Sequence, residues 1–83
     1  MQKIIFDDID ELYKRIGCNV AKIRKSKNIS QLDLALAIGL KSVGLISVAE
    51  LYHNKKHFNI EHLSKIAIIL EVDICEFFKN TNN

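Results

Sequence analysis

The chain has 83 residues, 48% of them hydrophobic, enough for one domain with a single core and no metal or disulfide staple. Its formal net charge of +2 does not by itself mark a polyanion binder. No apolar stretch approaches the roughly 20 residues that a bilayer crossing needs. There is no proline, only three glycines and no run of alternating β-branched residues, a pattern that argues against a sheet and predicts an all-α chain.

Residues 1–8 lack a basic start followed by a long apolar segment, so no signal peptide is expected. The amino-terminal arm, about residues 1–7, carries Ile4, Ile5 and Phe6. Ile9, Leu12, Ile16, Val20 and Ile23 then recur at three- and four-residue steps. That spacing predicts one long amphipathic helix from about Asp8 to Lys27. Gly17 inside it should weaken it by about 1 kcal/mol relative to alanine.

Ser30, with Asp33 behind it, can cap a second helix that opens at Gln31 and runs to about Ile38. Leu34 and Ile38 share one face of it, and Ala35 leaves room for another helix to cross closely. Gly39 permits the left-handed backbone that stops a helix and turns it sharply. A third helix follows from about Ser42 to Leu51. Two short helices meeting at a glycine turn are the pattern of a helix-turn-helix, although any small helical hairpin shares these turn signals. Asn59 can cap a fourth helix whose buried stripe is Leu63, Ile66, Ala67 and Leu70. Asp73 with Glu76 three residues on marks a short fifth helix, over which Ile74, Phe77 and Phe78 close the core. The tail, about residues 79–83, is polar. With no linker or repeat, residues 1–83 read as a single domain.

Charge is distributed unevenly. Residues 14–65 carry ten basic side chains against three acids, whereas residues 1–13 net −3 and residues 66–83 net −2. A basic middle between acidic ends suits a protein with one phosphate-facing side, though lysines are as often simply solvated. Enzymatic chemistry finds no support: no Gly-rich loop follows a strand, and the carboxylates sit where helix caps explain them. His53, His57 and His62 fall in or beside a loop without the geometry of a ligand set, so no metal and no cofactor are expected. Cys18 and Cys75 stand far apart and read as two reduced thiols.

In order along the chain stand Ile16-Gly17-x-x-Val20-x-x-Ile23-Arg24, Ser30-Gln31-Leu32-Asp33-Leu34-Ala35, Gly39-Leu40 and Ile46-Ser47-x-x-Glu50. Leu63-x-x-Ile66-Ala67-x-x-Leu70-x-Val72 and Phe77-Phe78 complete the succession. It resembles the lambda-repressor-like (Cro/repressor, XRE-type) family of DNA-binding domains over about residues 16–78. The resemblance implies a compact five-helix fold and a cytoplasmic transcriptional regulator, a repressor, that reads double-stranded operator DNA as a homodimer. Helix three would lie in the major groove. It implies a structural ion pair between Arg24 and Glu50. It places Gln31 on a phosphate, Lys41, Ser42, Val43, Gly44 and Ser47 at base edges, and Asn54, Lys55 and Lys56 on the phosphate backbone.

The chain departs from the family pattern in two places. The stretch between Gly39 and Ile46 is one residue longer than usual and poor in hydrogen-bonding side chains. After Glu50, Tyr52 replaces the usual glycine in a loop about two residues longer, and Asn54 is the expected left-handed substitute. Leu32, Leu36, Val43, Leu45 and Val48 suggest more apolar surface than a monomeric reader requires. Either the arm Ile4-Ile5-Phe6 covers it or it meets a second subunit or another protein. The arm and Phe78 are the expected dimer contacts. The alternative function is a protein-interaction module on the same fold, such as an antitoxin or anti-regulator with weak DNA reading.

Overall fold

Four α-helices and two short 3₁₀ segments, His53–Lys55 and Ile74–Phe78, make up the computed structural model, which describes residues 9–80. Ile4, Ile5 and Phe6, and with them the expectation of an apolar arm, lie outside that range. The first helix, α1, spans Ile9–Ser26, with Asp10 and Glu11 in its first turn and Arg24 and Lys25 in its last. Those charges oppose the helix dipole at both ends.

The second helix, α2, spans Gln31–Ala37, and the Ser30 hydroxyl accepts the Asp33 N–H at 3.0 Å as its cap. Gly39, at φ +91°, turns the chain out of it. The third helix, α3, spans Gly44–Leu51 and so starts two residues later than the sequence suggests. Val43 takes the cap position with no side-chain acceptor to offer, leaving Ser42 in the turn.

The fourth helix, α4, spans Ile60–Leu70 behind a reciprocal cap: Asn59 Oδ1 accepts the His62 N–H at 2.7 Å, and His62 Nδ1 accepts the Asn59 N–H at 3.1 Å. The expected fifth helix is instead a 3₁₀ segment, Ile74–Phe78. Five residues between extended Asp73 and Lys79 are too few for a stable α-helix. The chain closes instead with the tighter bond from Glu76 N–H to Asp73 O, at 2.9 Å. Among the described residues there is no strand.

The buried core joins Ile16 and Val20 of α1 to Leu34, Ala35 and Ile38 from the second helix and its end, Ile46 and Ala49 of α3, and the α4 stripe. Phe77 closes it from the 3₁₀ segment, as the spacing predicts, whereas Ile74 is only half-buried and Phe78, expected beside it, is exposed. Phe58 is also fully enclosed, a loop residue that no periodicity would single out.

Gly17 plays a different part from the weak point its helix propensity suggests. A Cβ built there would run into the carbonyl oxygen of Ala49 and lie 2.7 Å from that of Glu50. The two backbones touch, and only glycine permits α1 and α3 to cross so closely. Asn19, also buried, donates from Nδ2 to Phe77 O at 2.9 Å and to Lys79 O at 2.8 Å. The 3₁₀ segment is therefore tied to α1 by hydrogen bonds as well as by Phe77.

Candidate nucleic-acid interface

Arg24 and Glu50 form the ion pair expected of them. Arg24 Nε donates to Glu50 Oε2 at 2.7 Å and Nη2 to Oε1 at 3.0 Å, a bidentate fork, with the residues only 6% and 5% exposed. Nη1 donates to Ile29 O at 2.9 Å. Gln31, expected at a phosphate, spends one amide proton on Glu50 Oε1 at 2.9 Å. One carboxylate thus gathers the end of α1, the start of α2 and the end of α3. Among the described residues no buried side-chain nitrogen or oxygen lacks a partner, so this corner holds its charges without an unmet hydrogen bond.

The opposite side of α3 is built differently. Ile46, Ala49 and Glu50 point inward, leaving Gly44, Ser47, Val48 and Leu51 outward at i, i+3, i+4 and i+7. The only charged residue of α3 is the buried Glu50, so its outward face is uncharged. Ser47 Oγ donates back to Gly44 O at 3.0 Å. A Cβ built on Gly44 would clash with nothing, making only an ordinary van der Waals contact with Ser42 Oγ at 3.8 Å. Lys41 and Ser42 are exposed in the turn, and Val43 is half-buried. The outward placement of Val48 and Leu51 was readable from the same four-residue spacing that marks Gly44 and Ser47.

Beyond α3 the backbone is left-handed at Tyr52 (φ 54°), Asn54 (φ 52°) and Lys55 (φ 62°). Tyr52 itself, and not Asn54 in its place, adopts the conformation of the missing glycine; Asn54 supplies a second such residue. A bulky side chain there costs of the order of 1 kcal/mol or more, so something must hold it. The Tyr52 hydroxyl donates to Asp10 Oδ1 at 2.6 Å, and its ring stacks on Tyr13 with centroids 5.7 Å apart. That hydrogen bond pushes the Tyr52 phenol up to about 12. His57 stacks on Tyr13 at 3.9 Å and its Nδ1 lies 3.1 Å from Lys55 O. The loop bearing the exposed Lys55 and Lys56 is pinned on α1 at both ends.

His57 and His62 are thus occupied in stacking and capping, and burial pushes His62 below the ordinary histidine range. No group of three His, Cys, Asp or Glu side chains among the described residues could hold a metal ion. Cys18 and Cys75 are exposed free thiols, and the hydrogen-bonded Asp73 carboxylate pushes that of Cys75 upward, away from the thiolate form. No described helix is long and apolar enough to cross a membrane.

Compared with known proteins, residues 20–77 match a family model described as Helix-turn-helix. No curated protein matches the chain.

Proposed function

The chain belongs to the helix-turn-helix family of lambda-repressor-like DNA-binding regulators, not an enzyme family, and we propose that it is a cytoplasmic repressor reading operator DNA with α3 in the major groove. The observation that carries this reading is the layout of the α3 edge. An uncharged outward helix face is flanked by exposed Lys41 before it and by Lys55 and Lys56 after it, the latter two on a loop anchored to Tyr13. Cations at the margins suit phosphates, and short neutral side chains at the centre suit base edges. Ser42, Val43 and Asn54 complete that edge, and Gln31 retains one amide proton for a phosphate.

A single short helix reads one major groove, so specific affinity calls for two copies on half-sites about 34 Å apart. The homodimer belongs to this proposal, with Phe78, exposed at the end of the 3₁₀ segment, among its contacts. The test is duplex binding measured across salt concentrations. Affinity should fall with a slope of about −0.9 per neutralised phosphate. Reversing charge at Lys55 and Lys56 should flatten the slope with the melting temperature unchanged.

A specific observation favours a second reading as well. Leu32, Leu36 and Leu51 are 49%, 54% and 78% exposed on α2 and α3, an apolar surface that a protein partner would cover. Failure to bind any duplex at low salt would make this protein-interaction module, antitoxin or anti-regulator in type, the better account.

A further inference from the structure

The outward face of α3 restricts what it can read. Gly44, Ser47, Val48 and Leu51 include no arginine, lysine, asparagine, glutamine or carboxylate. The paired-donor reading of guanine and the amide reading of adenine are both closed to this helix. What remains is one hydroxyl and apolar surface.

The hydroxyl is already committed in one direction. Ser47 Oγ gives its proton to Gly44 O at 3.0 Å, so what it has left to offer a base is acceptor capacity. In the major groove only adenine N6 and cytosine N4 donate to such an acceptor. Beside Ser47 stand the half-buried methyls of Val48, and at the cap of the helix those of Val43. Of the two base pairs that present an amino donor, only A·T also presents a methyl group.

We infer that α3 selects A·T base pairs, Ser47 accepting from adenine N6 while Val48 and Val43 pack on thymine methyls. This rests on α3 lying in the major groove. Gly44 serves the same end, since the absence of a side chain in the first turn lets the helix seat deeply enough for short side chains to reach.

The test uses the full chain and two sets of DNA. Salt titration on random duplex comes first, followed by selection from a random duplex library and resynthesis of the selected duplex with uracil for thymine. Uracil deletes the methyl and leaves every hydrogen-bonding group in place. The selected half-sites should carry A·T pairs under α3, and uracil should weaken binding about fourfold per contacted methyl. Val48→Ala should shrink that difference by the share of the one methyl it contacts, about fourfold, and leave the share that falls under Val43. The uracil comparison needs no altered protein, so an unfolded variant would not blunt it. Selection of G·C pairs at those positions, or equal affinity for thymine and uracil duplexes, overturns the inference while duplex binding stands. No duplex binding at any salt overturns the DNA-reading proposal and this inference together.

Discussion

Where α1 crosses α3, a charged pair is buried with all its hydrogen bonds made and two backbones touch at Gly17; along the edge from Lys41 to Lys56, exposed lysines flank an uncharged helix face and the backbone is left-handed three times. In the first region each residue is constrained by its neighbours inside the molecule. In the second the fold leaves Gly44 free of close contacts, and in the function proposed above it is DNA that sets Gly44, Ser47 and Val48. Both regions share α3, so a substitution on one side of that helix should disturb stability and on the other side recognition.

The largest effect should come from Arg24→Ala. It leaves the Glu50 carboxylate buried without its cationic partner, which typically costs about 3–5 kcal/mol. Against a total stability of about 5–15 kcal/mol the domain would be close to unfolding. Lys25→Ala, one residue along on the exposed side of α1, should barely move the midpoint of urea denaturation. Equal and small shifts for both would show that the corner does not govern stability.

Gly17→Ala comes next and separates packing from propensity. Helix propensity alone would make it stabilising by about 1 kcal/mol. The Ala49 and Glu50 carbonyls leave no space for the new methyl, so it should destabilise, by about 1–3 kcal/mol as overpacking does. A higher melting temperature would refute the close crossing and, with it, this half of the comparison.

Sequence spacing carried the buried region well. Arg24, Glu50, the α2 cap at Ser30 and the stripe from Leu63 to Leu70 follow from periodicity, capping chemistry and the family motif, which concern contacts inside the chain. The role of Gly17 did not follow, because propensity describes a helix alone and the touching carbonyls belong to another helix. Asn19 was invisible for the same reason: its acceptors, Phe77 O and Lys79 O, are backbone atoms some sixty residues away. The loop was half legible. A left-handed residue was needed after α3, and Asn54 was the natural choice by type, but the hydrogen bond from Tyr52 to Asp10 and its stacking on Tyr13 let Tyr52 itself take the strain. The fifth helix was misread because a cap and three apolar residues look alike in α and 3₁₀ turns.

That loop gives a milder test, by pH. The Tyr52 phenol rises from 10.0 to about 12, so the folded state holds its proton more tightly than the unfolded chain does. Its stabilising contribution is whole below pH 10 and is lost as pH rises through about 12. Tyrosinate absorbance should show one late-titrating tyrosine, and Tyr52→Phe should remove it and lower the melting temperature slightly at neutral pH. If the late tyrosine survives in Tyr52→Phe, the pin on Asp10 is not what holds the loop.

Gly44→Ala should change stability least and sharpens the comparison most. Its backbone is not left-handed, and a Cβ would meet nothing closer than Ser42 Oγ at 3.8 Å, so the fold has no need of glycine there. Alanine removes freedom from the unfolded chain and should leave stability unchanged or raise it by about 0.4–1 kcal/mol. Duplex binding should nevertheless weaken, because the new methyl points from the outward face of α3 towards the DNA. Thermal melting and a duplex titration on the same sample read the two effects separately. A variant that melts higher and binds less tightly shows that Gly44 answers to the ligand, as Gly17 answers to the fold. A variant that melts lower would mean that the space around Gly44 is not open, and one that binds as before would move the DNA away from the start of α3.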